Sequence, residues 1–322
     1  MENIKVAFCD FWDDFNPQNN FILDSLRRIC DVEVIAPNEH PDFLFYSIMG
    51  YSNLHYTDCV RIYYTGENDI PDFNKCDYAI SFHHFEFGHR HLRLPIYTWY
   101  GSFNRIRDNQ LKPIPTERGF CSYVVSNNWC ATALRTDIFE QLSQYKPVAS
   151  GGRYANNVGG PVKDKIEFLR NYKFNIAFEN SSVDGYTTEK LLDALAARTV
   201  PIYWGNPRVN EDVNPRCFIN VSDFSTLDEC IAYIKKVDTD DALYSAYLAE
   251  NPFREDHLYL NWENSLDEFL RYIITNSRRY VTTFGLGGKI FTSALGKEEM
   301  FHSNMMQRIL KAYKRLRRRS QC

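Results

Sequence analysis

Residues 174–205 read FNIAFENSSVDGYTTEKLLDALAARTVPIYWG, and their pattern predicts the fold class. The apolar run 174–178 predicts a strand, a polar turn follows it, and Thr187 or Thr188 can cap the helix that comes next. A second apolar run after the helix predicts a second strand. Neither run alternates strictly with polar residues, which is typical of strands that are buried on both faces of a parallel sheet. The segment therefore predicts an α/β fold.

The turn between this strand and this helix is crowded with polar and charged side chains. Ligands of open α/β sheets bind beyond the carboxyl ends of the strands, and a helix N-terminus favours an anion. Lys190 places a positive charge in the first helical turn, where a lysine is unfavourable without a counter-anion. We therefore expect a polar, anionic ligand here. In the alternative interpretation, Glu189 complements the helix dipole and Lys190 is solvated.

The same alternation of apolar runs and helical stretches extends along the chain. It is interrupted by a polar, proline-containing stretch at 102–119 and then restarts. The sequence therefore predicts two doubly wound, Rossmann-like domains that face a cleft, with ranges 1–118 and 119–275. Residues 276–322 are predicted to form a glycine-containing linker and a basic C-terminal helix.

Composition and charge exclude several classes of protein. The 322 residues are 44% hydrophobic and 15% aromatic, which excludes wholesale disorder. The net charge is −4, and positive charge is concentrated after residue 300, whereas a nucleic-acid enzyme usually spreads basic charge over its body. We therefore expect no nucleic-acid partner.

Cysteine usage and apolar run lengths indicate where the protein acts. The nine cysteines are scattered and contain no C-x-x-C pair, which favours free thiols in a reducing compartment. The first residues enter a strand without a signal-peptide pattern, and no apolar run approaches the ~20 residues of a membrane-spanning helix. We therefore predict a cytoplasmic protein.

Residues 173–209 resemble the donor-binding signature of the α1,3/4-fucosyltransferases, glycosyltransferase family 10. The shared pattern is FEN…GY-x-TEK…P-[IV]-x-x-G, and a weaker resemblance to bacterial members extends over roughly residues 4–235. The resemblance implies a GT-B fold, GDP-fucose as the donor and inversion at the anomeric carbon. It also implies no cofactor and no obligatory metal.

The resemblance also implies which residues bind the donor. Lys190 would hold the diphosphate, and Glu189 would engage hydroxyl groups of the fucose or ribose. Tyr186 would pack against the nucleotide sugar or form a hydrogen bond with it. Asn180 and Thr188 complete the predicted donor-binding set.

Arg135 matches the family arginine that neutralises the leaving phosphates. An arginine suits this role because its planar fork grips two phosphate oxygens and stays charged. Together with Lys190 and a helix N-terminus, it could replace the metal that other transferases use. Without the resemblance, Arg135 would be interpreted as an exposed helix residue.

An inverting transfer also needs a carboxylate that takes the proton from the acceptor hydroxyl. Glu67, in "YYTGEN" directly after a predicted strand, resembles the family position assigned as this general base. Glu86 is the rival candidate, within "SFHHFEFGHRH". Judged from its surroundings alone, a glutamate after a strand is often a surface residue.

Four histidines surround Glu86, at positions 83, 84, 89 and 91, where bacterial relatives have an acidic stretch. Their spacing fits no standard zinc site, and no neighbouring cysteine supports one, so we predict no metal. We expect His83, His84 and Glu86 to shape the acceptor pocket instead. Another acidic pattern, DTD at 238–240, has D-x-D spacing, but it lies between two helical stretches and is predicted to cap the second.

The segment 300–319 places apolar residues at helical spacing and basic residues on the other face. Such a helix can lie on an anionic membrane, here the inner face of the cytoplasmic membrane, where lipid-linked sugars would be acceptors. A coiled-coil helix, a docking helix or a solvated basic end are the alternatives.

These observations predict an inverting α1,3-fucosyltransferase. It would move fucose from GDP-fucose to the GlcNAc of an N-acetyllactosamine-type oligosaccharide, with Glu67 as the base and Arg135 and Lys190 stabilising the leaving GDP. The alternatives are an α1,4-fucosyltransferase, a transferase of the same fold that uses another nucleotide sugar, and a non-catalytic glycan-binding protein.

Overall fold

The chain folds into two compact units in a computed structural model that describes residues 3–126 and 132–280. Of the described residues, the first unit contains 3–80, 87–92 and 263–280, and the second contains 81–86, 93–126 and 132–262. Each unit is built around a β-sheet with helices beside it, as an α/β fold requires.

The first unit is built on a six-stranded sheet with strand order β2-β1-β3-β4-β5-β6. Its strands are β1 (Asn3–Cys9), β2 (Asp31–Val34), β3 (Phe43–Tyr46), β4 (Val60–Tyr64), β5 (Tyr78–Ser81) and β6 (His91–Arg93). The strands from β1 to β5 pair in parallel. β3, β4 and β5 are buried along their whole lengths, which explains why their sequences do not alternate with polar residues.

The second unit is built on a five-stranded parallel sheet with strand order β11-β10-β9-β7-β8. Its strands are β7 (Gly119–Tyr123), β8 (Val148–Ser150), β9 (Tyr172–Phe178), β10 (Val200–Trp204) and β11 (Ile219–Asn220). β9 and β10 are neighbours, with Phe178 opposite Trp204 at their carboxyl ends. The parallel strand–helix–strand unit that residues 174–205 predict is therefore confirmed.

Nine α-helices occur in the described parts of the chain. They are α1 (Phe21–Ile29), α2 (Gly101–Arg107), α3 (Leu134–Tyr145), α4 (Lys165–Arg170), α5 (Glu189–Ala196), α6 (Val209–Asp212), α7 (Leu227–Thr239), α8 (Asp241–Ala249) and α9 (Trp262–Asn276). Short 3₁₀ helices occupy Ser52–His55, Ile96–Trp99, Pro215–Cys217, Val221–Asp223 and Leu258–Asn261.

Polar side chains cap the starts of several helices, including α1, α4, α5, α7 and α8. Of the two predicted caps, Thr188 is the one that caps α5, and its hydroxyl accepts a hydrogen bond from the backbone N–H of Lys190 at 3.4 Å. Asp240 caps α8 in the same way, since its carboxylate accepts from the N–H of Leu243 at 3.0 Å. This confirms that the DTD stretch contributes a helix cap.

The two units have different extents from the ranges 1–118 and 119–275 that the sequence predicts. Residues 93–118 belong to the second unit, where α2 packs against α5. Residues 263–280 belong to the first unit, where Asp267 of α9 accepts hydrogen bonds of 2.6 and 2.8 Å from Arg28 of α1. Both differences arise from contacts between segments that are far apart in sequence.

None of the helices in residues 3–126 and 132–280 is long and apolar enough to cross a membrane. The predicted basic helix at 300–319 and most of the predicted linker lie outside the described residues.

Candidate active site

The predicted donor-binding residues gather at the carboxyl end of β9, in the second unit. The strand ends at Phe178, a polar turn follows, and α5 begins at Glu189. This places the turn at the edge of a parallel sheet where α/β proteins bind ligands, directly before a helix N-terminus.

A buried carboxylate, Glu179, organises this turn. Its exposed fraction is 0%. One carboxylate oxygen accepts a hydrogen bond from the backbone N–H of Thr188, and the other accepts from the hydroxyl of the same residue, both at 2.8 Å. Glu179 thereby fixes the residue that caps α5, a role that the sequence did not assign to it. The only signal in the sequence was an acid placed directly after a buried strand.

Lys190 lies against two carboxylates of the protein. Its ammonium Nζ is 3.2 Å from Oε2 of Glu179 and 3.4 Å from Oε1 of Glu189, and it donates to the hydroxyl of Thr188 at 3.0 Å. The protein therefore supplies counter-ions for a lysine that, by the sequence argument, required a bound anion. That argument considered only the helix end and not the strand end that packs beside it, and the anionic ligand itself stays a prediction.

Burial and pairing act in opposite directions on these charges. Burial alone would lower the pKa of Lys190, but the carboxylates of Glu179 and Glu189 raise it well above the usual lysine value. Burial raises the pKa of Glu179 above 4.5, although Lys190 opposes the shift. For Glu189, burial also acts upward, but Lys190 and Lys165 outweigh it and its pKa is lowered. Lys190 and Glu189 are thus held charged.

Arg135 is fully buried near the start of α3. Its Nη2 donates to the backbone carbonyl of Phe178 at 2.7 Å and to Oδ1 of Asn180 at 3.0 Å. Its Nε is buried and has no hydrogen-bond partner among the described residues. Burial lowers the pKa of Arg135, while Tyr123 and Glu179 act in the opposite direction.

The local interpretation of Arg135 as an exposed helix arginine is therefore wrong. Its guanidinium donates to the carbonyl of Phe178 at the end of β9, which is 43 residues away in sequence. No local sequence pattern reveals a contact over that separation. Arg135 and Lys190 both contact the short segment 178–180, so the fold brings the two predicted cations to one strand end.

Tyr186 is 3% exposed, and its ring centroid is 5.3 Å from that of Phe82 in the same unit. Gly185, just before it, has a φ of +83°, and a Cβ there would lie 2.3 Å from the carbonyl oxygen of Phe82. Only glycine fits this close approach without strain. The turn that precedes α5 is therefore packed tightly against Phe82.

Asn206, which the sequence did not single out, fastens the same turn from the end of β10. Its side-chain oxygen accepts from the N–H groups of Gly185 at 2.7 Å and Arg208 at 2.9 Å, and its amide nitrogen donates to the hydroxyl of Thr187 at 3.0 Å. Asn206 is 2% exposed, so these contacts are shielded from water. The one local signal was an asparagine directly after a strand, within "WGNP".

The candidate acceptor-pocket residues His83, His84 and Glu86 all belong to the second unit. The ring of His83 stacks on Phe82 with a centroid distance of 4.0 Å. Nδ1 of His84 is 3.6 Å from a carboxylate oxygen of Glu211. Burial, with a further contribution from nearby arginines, lowers the pKa of His84. Glu86 is exposed.

The histidine-rich stretch is divided between the two units, since His89 and His91 belong to the first. No group of three histidine, cysteine, aspartate or glutamate side chains capable of holding a metal occurs in the described parts of the chain.

Glu67 lies in the first unit, three residues after the end of β4. Its backbone N–H donates to the hydroxyl of Thr65 at 3.0 Å, and the same hydroxyl lies 3.0 Å from its carbonyl oxygen. The turn is thereby fixed while Glu67 itself is exposed. The predicted donor-binding residues belong to the second unit, so the proposed base and the proposed donor site lie in different units.

The chain matches two family descriptions that together cover most of its length. Residues 6–100 match the "Alpha-(1,3)-fucosyltransferase FucT N-terminal domain", and residues 115–269 match "Glycosyltransferase family 10 (fucosyltransferase) C-term". The second match contains the whole polar turn and α5, together with Arg135 and Asn206.

Individual relatives agree with these matches. The chain is 33% identical to the α1,3-fucosyltransferase FucT of Helicobacter pylori, over 94% of this chain and 68% of that protein. It is 42% identical to an α1,4-fucosyltransferase of Arabidopsis thaliana, but over only 25% of this chain and 20% of that protein.

A solved structure of an α1,3-fucosyltransferase with GDP-fucose superimposes with a TM-score of 0.74 and 31% identity, covering 87% of this chain and 93% of that one. Together with the two parallel sheets, this likeness confirms the predicted α/β fold of the GT-B class.

Proposed function

The chain belongs to glycosyltransferase family 10, the fucosyltransferases, and we propose that it transfers fucose from GDP-fucose to the GlcNAc of an N-acetyllactosamine-type glycan. The proposed product is α1,3-linked and is formed with inversion at the anomeric carbon. The Helicobacter pylori relative and the solved neighbour, both named as α1,3-fucosyltransferases, support this linkage, and the neighbour's GDP-fucose supports the donor.

The observation that carries the proposal is the charge arrangement at the start of α5. A lysine held charged by Glu179 lies within the first turn of a helix, and the guanidinium of Arg135 contacts the strand end beside it. Helix N–H groups, an ammonium and a guanidinium suit a diphosphate, since each offers donors to phosphate oxygens. We infer that the diphosphate of GDP-fucose binds at this helix end.

Donor binding in this site requires the ammonium of Lys190 to exchange partners. Its donors now face Thr188, Glu179 and Glu189. A diphosphate oxygen would replace the longest of these three contacts, the one to Glu189 at 3.4 Å, while Glu179 keeps the ammonium in place. Glu189 would then be available for a sugar hydroxyl, and Asn180 and Tyr186 would complete the donor pocket.

The proposed chemistry is a single displacement. Glu67 takes the proton of the GlcNAc hydroxyl as that oxygen attacks the anomeric carbon of fucose. The bond from the anomeric carbon to the phosphate oxygen breaks, and its electron pair stays on GDP. Arg135 and Lys190 stabilise the negative charge that grows on the leaving phosphate, and loss of one such contact costs ~10²–10³ in rate.

We assign the acceptor pocket to His83, His84 and Glu86. The observation that favours this assignment is the stacking of His83 on Phe82, which contacts the donor turn at Gly185 and Tyr186. The two side-chain cations supply positive charge at the leaving group, so we expect no requirement for a metal and full activity in EDTA.

The deciding experiment incubates the purified protein with GDP-fucose and with type 1 or type 2 oligosaccharide acceptors, followed by determination of the linkage. We expect an α1,3-fucoside on the type 2 acceptor. An α1,4-fucoside on the type 1 acceptor would assign the other linkage, as in the Arabidopsis relative's name. Transfer from a different nucleotide sugar would overturn the donor, and binding without transfer would identify a glycan-binding protein.

The remaining proposals concern the roles of the two predicted domains and the location of the enzyme. We propose that residues 1–118 contribute to acceptor binding and residues 119–275 to GDP-fucose binding. We also propose a cytoplasmic enzyme that contacts anionic membrane through residues 300–319, whose basic residues would attract such lipids. Sedimentation with vesicles of anionic or zwitterionic lipid tests the contact: a chain that ends at residue 299 should lose binding to the anionic vesicles.

A further inference from the structure

The loop that follows β1 in the first unit is rich in aromatic side chains. Phe11 and Phe15 stack with a centroid distance of 3.9 Å, and Trp12 stands beside them. Trp12 is 37% exposed, and it has no role in the proposed mechanism. A large aromatic ring that keeps solvent-exposed surface at the edge of a sheet can pack against a ligand.

The ring of Trp12 is held by three other rings. Its centroid lies 5.5 Å from Phe11, 5.4 Å from Phe15 and 6.3 Å from Tyr64. The contacts with the two phenylalanines are edge-to-face, the favourable geometry for aromatic pairs. Because the ring is already fixed, a ligand that packs on it loses little additional side-chain entropy.

Trp12 and the proposed base Glu67 lie at the same edge of one sheet. Trp12 follows the carboxyl end of β1, and Tyr64, whose ring contacts Trp12, is the last residue of β4. Glu67 comes three residues later, in the turn fixed by Thr65. Both residues are exposed at this edge, so a substrate whose hydroxyl reaches Glu67 can extend towards the aromatic loop.

The residues after Trp12 add hydrogen-bonding capacity. Asp13 and Asp14 are both exposed, and their carboxylates can accept hydrogen bonds from sugar hydroxyls. An aromatic face beside a few polar acceptors suits a pyranose ring, which has one face of C–H groups and a rim of hydroxyls. The slightly positive C–H groups are attracted to the negative face of the indole.

We propose that Trp12 is a stacking platform for the galactose ring of the acceptor disaccharide, next to the GlcNAc whose hydroxyl faces Glu67. This inference takes its substrate from the proposed function. Trp12 selects acceptors by contacting the sugar that does not react, and it is therefore a specificity-determining residue.

The test compares Trp12→Ala, Trp12→Leu and Trp12→Phe in the full chain. We expect the KM for N-acetyllactosamine to rise about tenfold or more in the alanine and leucine variants, a loss typical of an aromatic anchor, and much less in the phenylalanine variant. The affinity for GDP, which is proposed to bind in the second unit, should not change, and unchanged turnover of a GlcNAc glycoside shows that the first unit of each variant is folded. With a GlcNAc glycoside that lacks galactose, the same substitutions should leave KM unchanged.

Leu258→Ala is the matched control, because Leu258 is 71% exposed and belongs to the second unit. An unchanged KM for N-acetyllactosamine in the alanine variant overturns the platform, and so does an equal loss with the GlcNAc glycoside. If the alanine variant does not fold, equal KM values for the leucine and phenylalanine variants overturn it.

Calorimetric titration of N-acetyllactosamine into the GDP complex separates this inference from the proposed function. Binding that depends on Trp12, without fucose transfer, supports the platform and removes the enzyme assignment. Fucose transfer whose acceptor KM does not change when Trp12 is substituted overturns the platform and supports the enzyme assignment. Absence of both binding and transfer in the wild type overturns both.

Discussion

The ammonium of Lys190 lies 3.2 Å from Oε2 of Glu179, a carboxylate with no exposed surface. The acid at the end of a strand thus holds the cation at the start of the next helix, where the helix dipole alone would repel it. The pair keeps Lys190 charged and in place before any ligand arrives, so less ordering remains to be done when a diphosphate binds.

Lys190→Ala should weaken GDP binding about tenfold or more, because a charged hydrogen bond contributes about 1.5–3 kcal/mol. It should also lower the free energy of unfolding by about 3 kcal/mol, because Glu179 is left buried without its partner. Calorimetry and urea unfolding measure the two effects. The double variant Glu179→Gln/Lys190→Met should recover stability but not GDP binding. The control is Lys112→Ala, which removes an exposed ion pair with Glu167. Unchanged GDP affinity in Lys190→Ala would remove this lysine from the phosphate site.

Glu179→Gln should change how stability depends on pH. Burial raises the pKa of Glu179 in the folded state above its ordinary value of 4.5, so the folded state binds this proton more tightly than the unfolded state does. The resulting stabilisation is complete below about pH 4.5 and is lost as pH rises through the folded pKa. The wild type should therefore lose stability relative to the glutamine variant over that range, as urea unfolding at several pH values will show. A difference that stays constant with pH would contradict the raised pKa.

Arg135→Lys should retain a positive charge but lose the fork that contacts both Phe178 and Asn180. We expect kcat to fall ~10², the loss seen when one contact to a developing charge is removed. Steady-state kinetics with saturating acceptor measures the change. Arg254→Lys, at an exposed pair with Asp256, should behave as wild type. Equal kcat values for wild type and Arg135→Lys would exclude a role for the guanidinium at the leaving group.

Glu67→Gln should bind GDP with unchanged affinity and lose most of its turnover, because an amide cannot accept the acceptor proton. Activity assays and a GDP titration on the same preparation separate the two effects. Glu86→Gln is the matched comparison, since Glu86 is the other exposed candidate in the sequence. Turnover that survives in Glu67→Gln but fails in Glu86→Gln would transfer the role of base to Glu86.

Asn206→Ala should weaken GDP binding several-fold, although Asn206 is not expected to touch the donor. The substitution leaves the N–H of Gly185 and the hydroxyl of Thr187 without their partner, at a cost of about 1–3 kcal/mol. GDP titration measures the effect, and acceptor KM should change little. Asn276→Ala, at an exposed helix end, is the control. An equal loss of acceptor and GDP affinity would indicate general unfolding instead of a displaced turn.

The sequence was sufficient for the local elements of the proposed donor site. An apolar run, a polar turn, a capping threonine and a helical pattern are local features, and each of them determines a strand, a turn or a helix end over a few residues. That is why the parallel pair β9 and β10 and the cap at Thr188 could be predicted from residues 174–205, and why Lys190 was placed correctly in the first turn of a helix.

Only the tertiary structure decided which charges are buried and what they pair with. Arg135 looked like a surface residue until packing placed it against Phe178, and Asn206 had no assigned partner until β10 was placed beside β9. Glu179 acquires its role because the strand end and the helix start meet in space. Local sequence encodes periodicity and caps, whereas burial and ion pairing depend on which distant segments pack together.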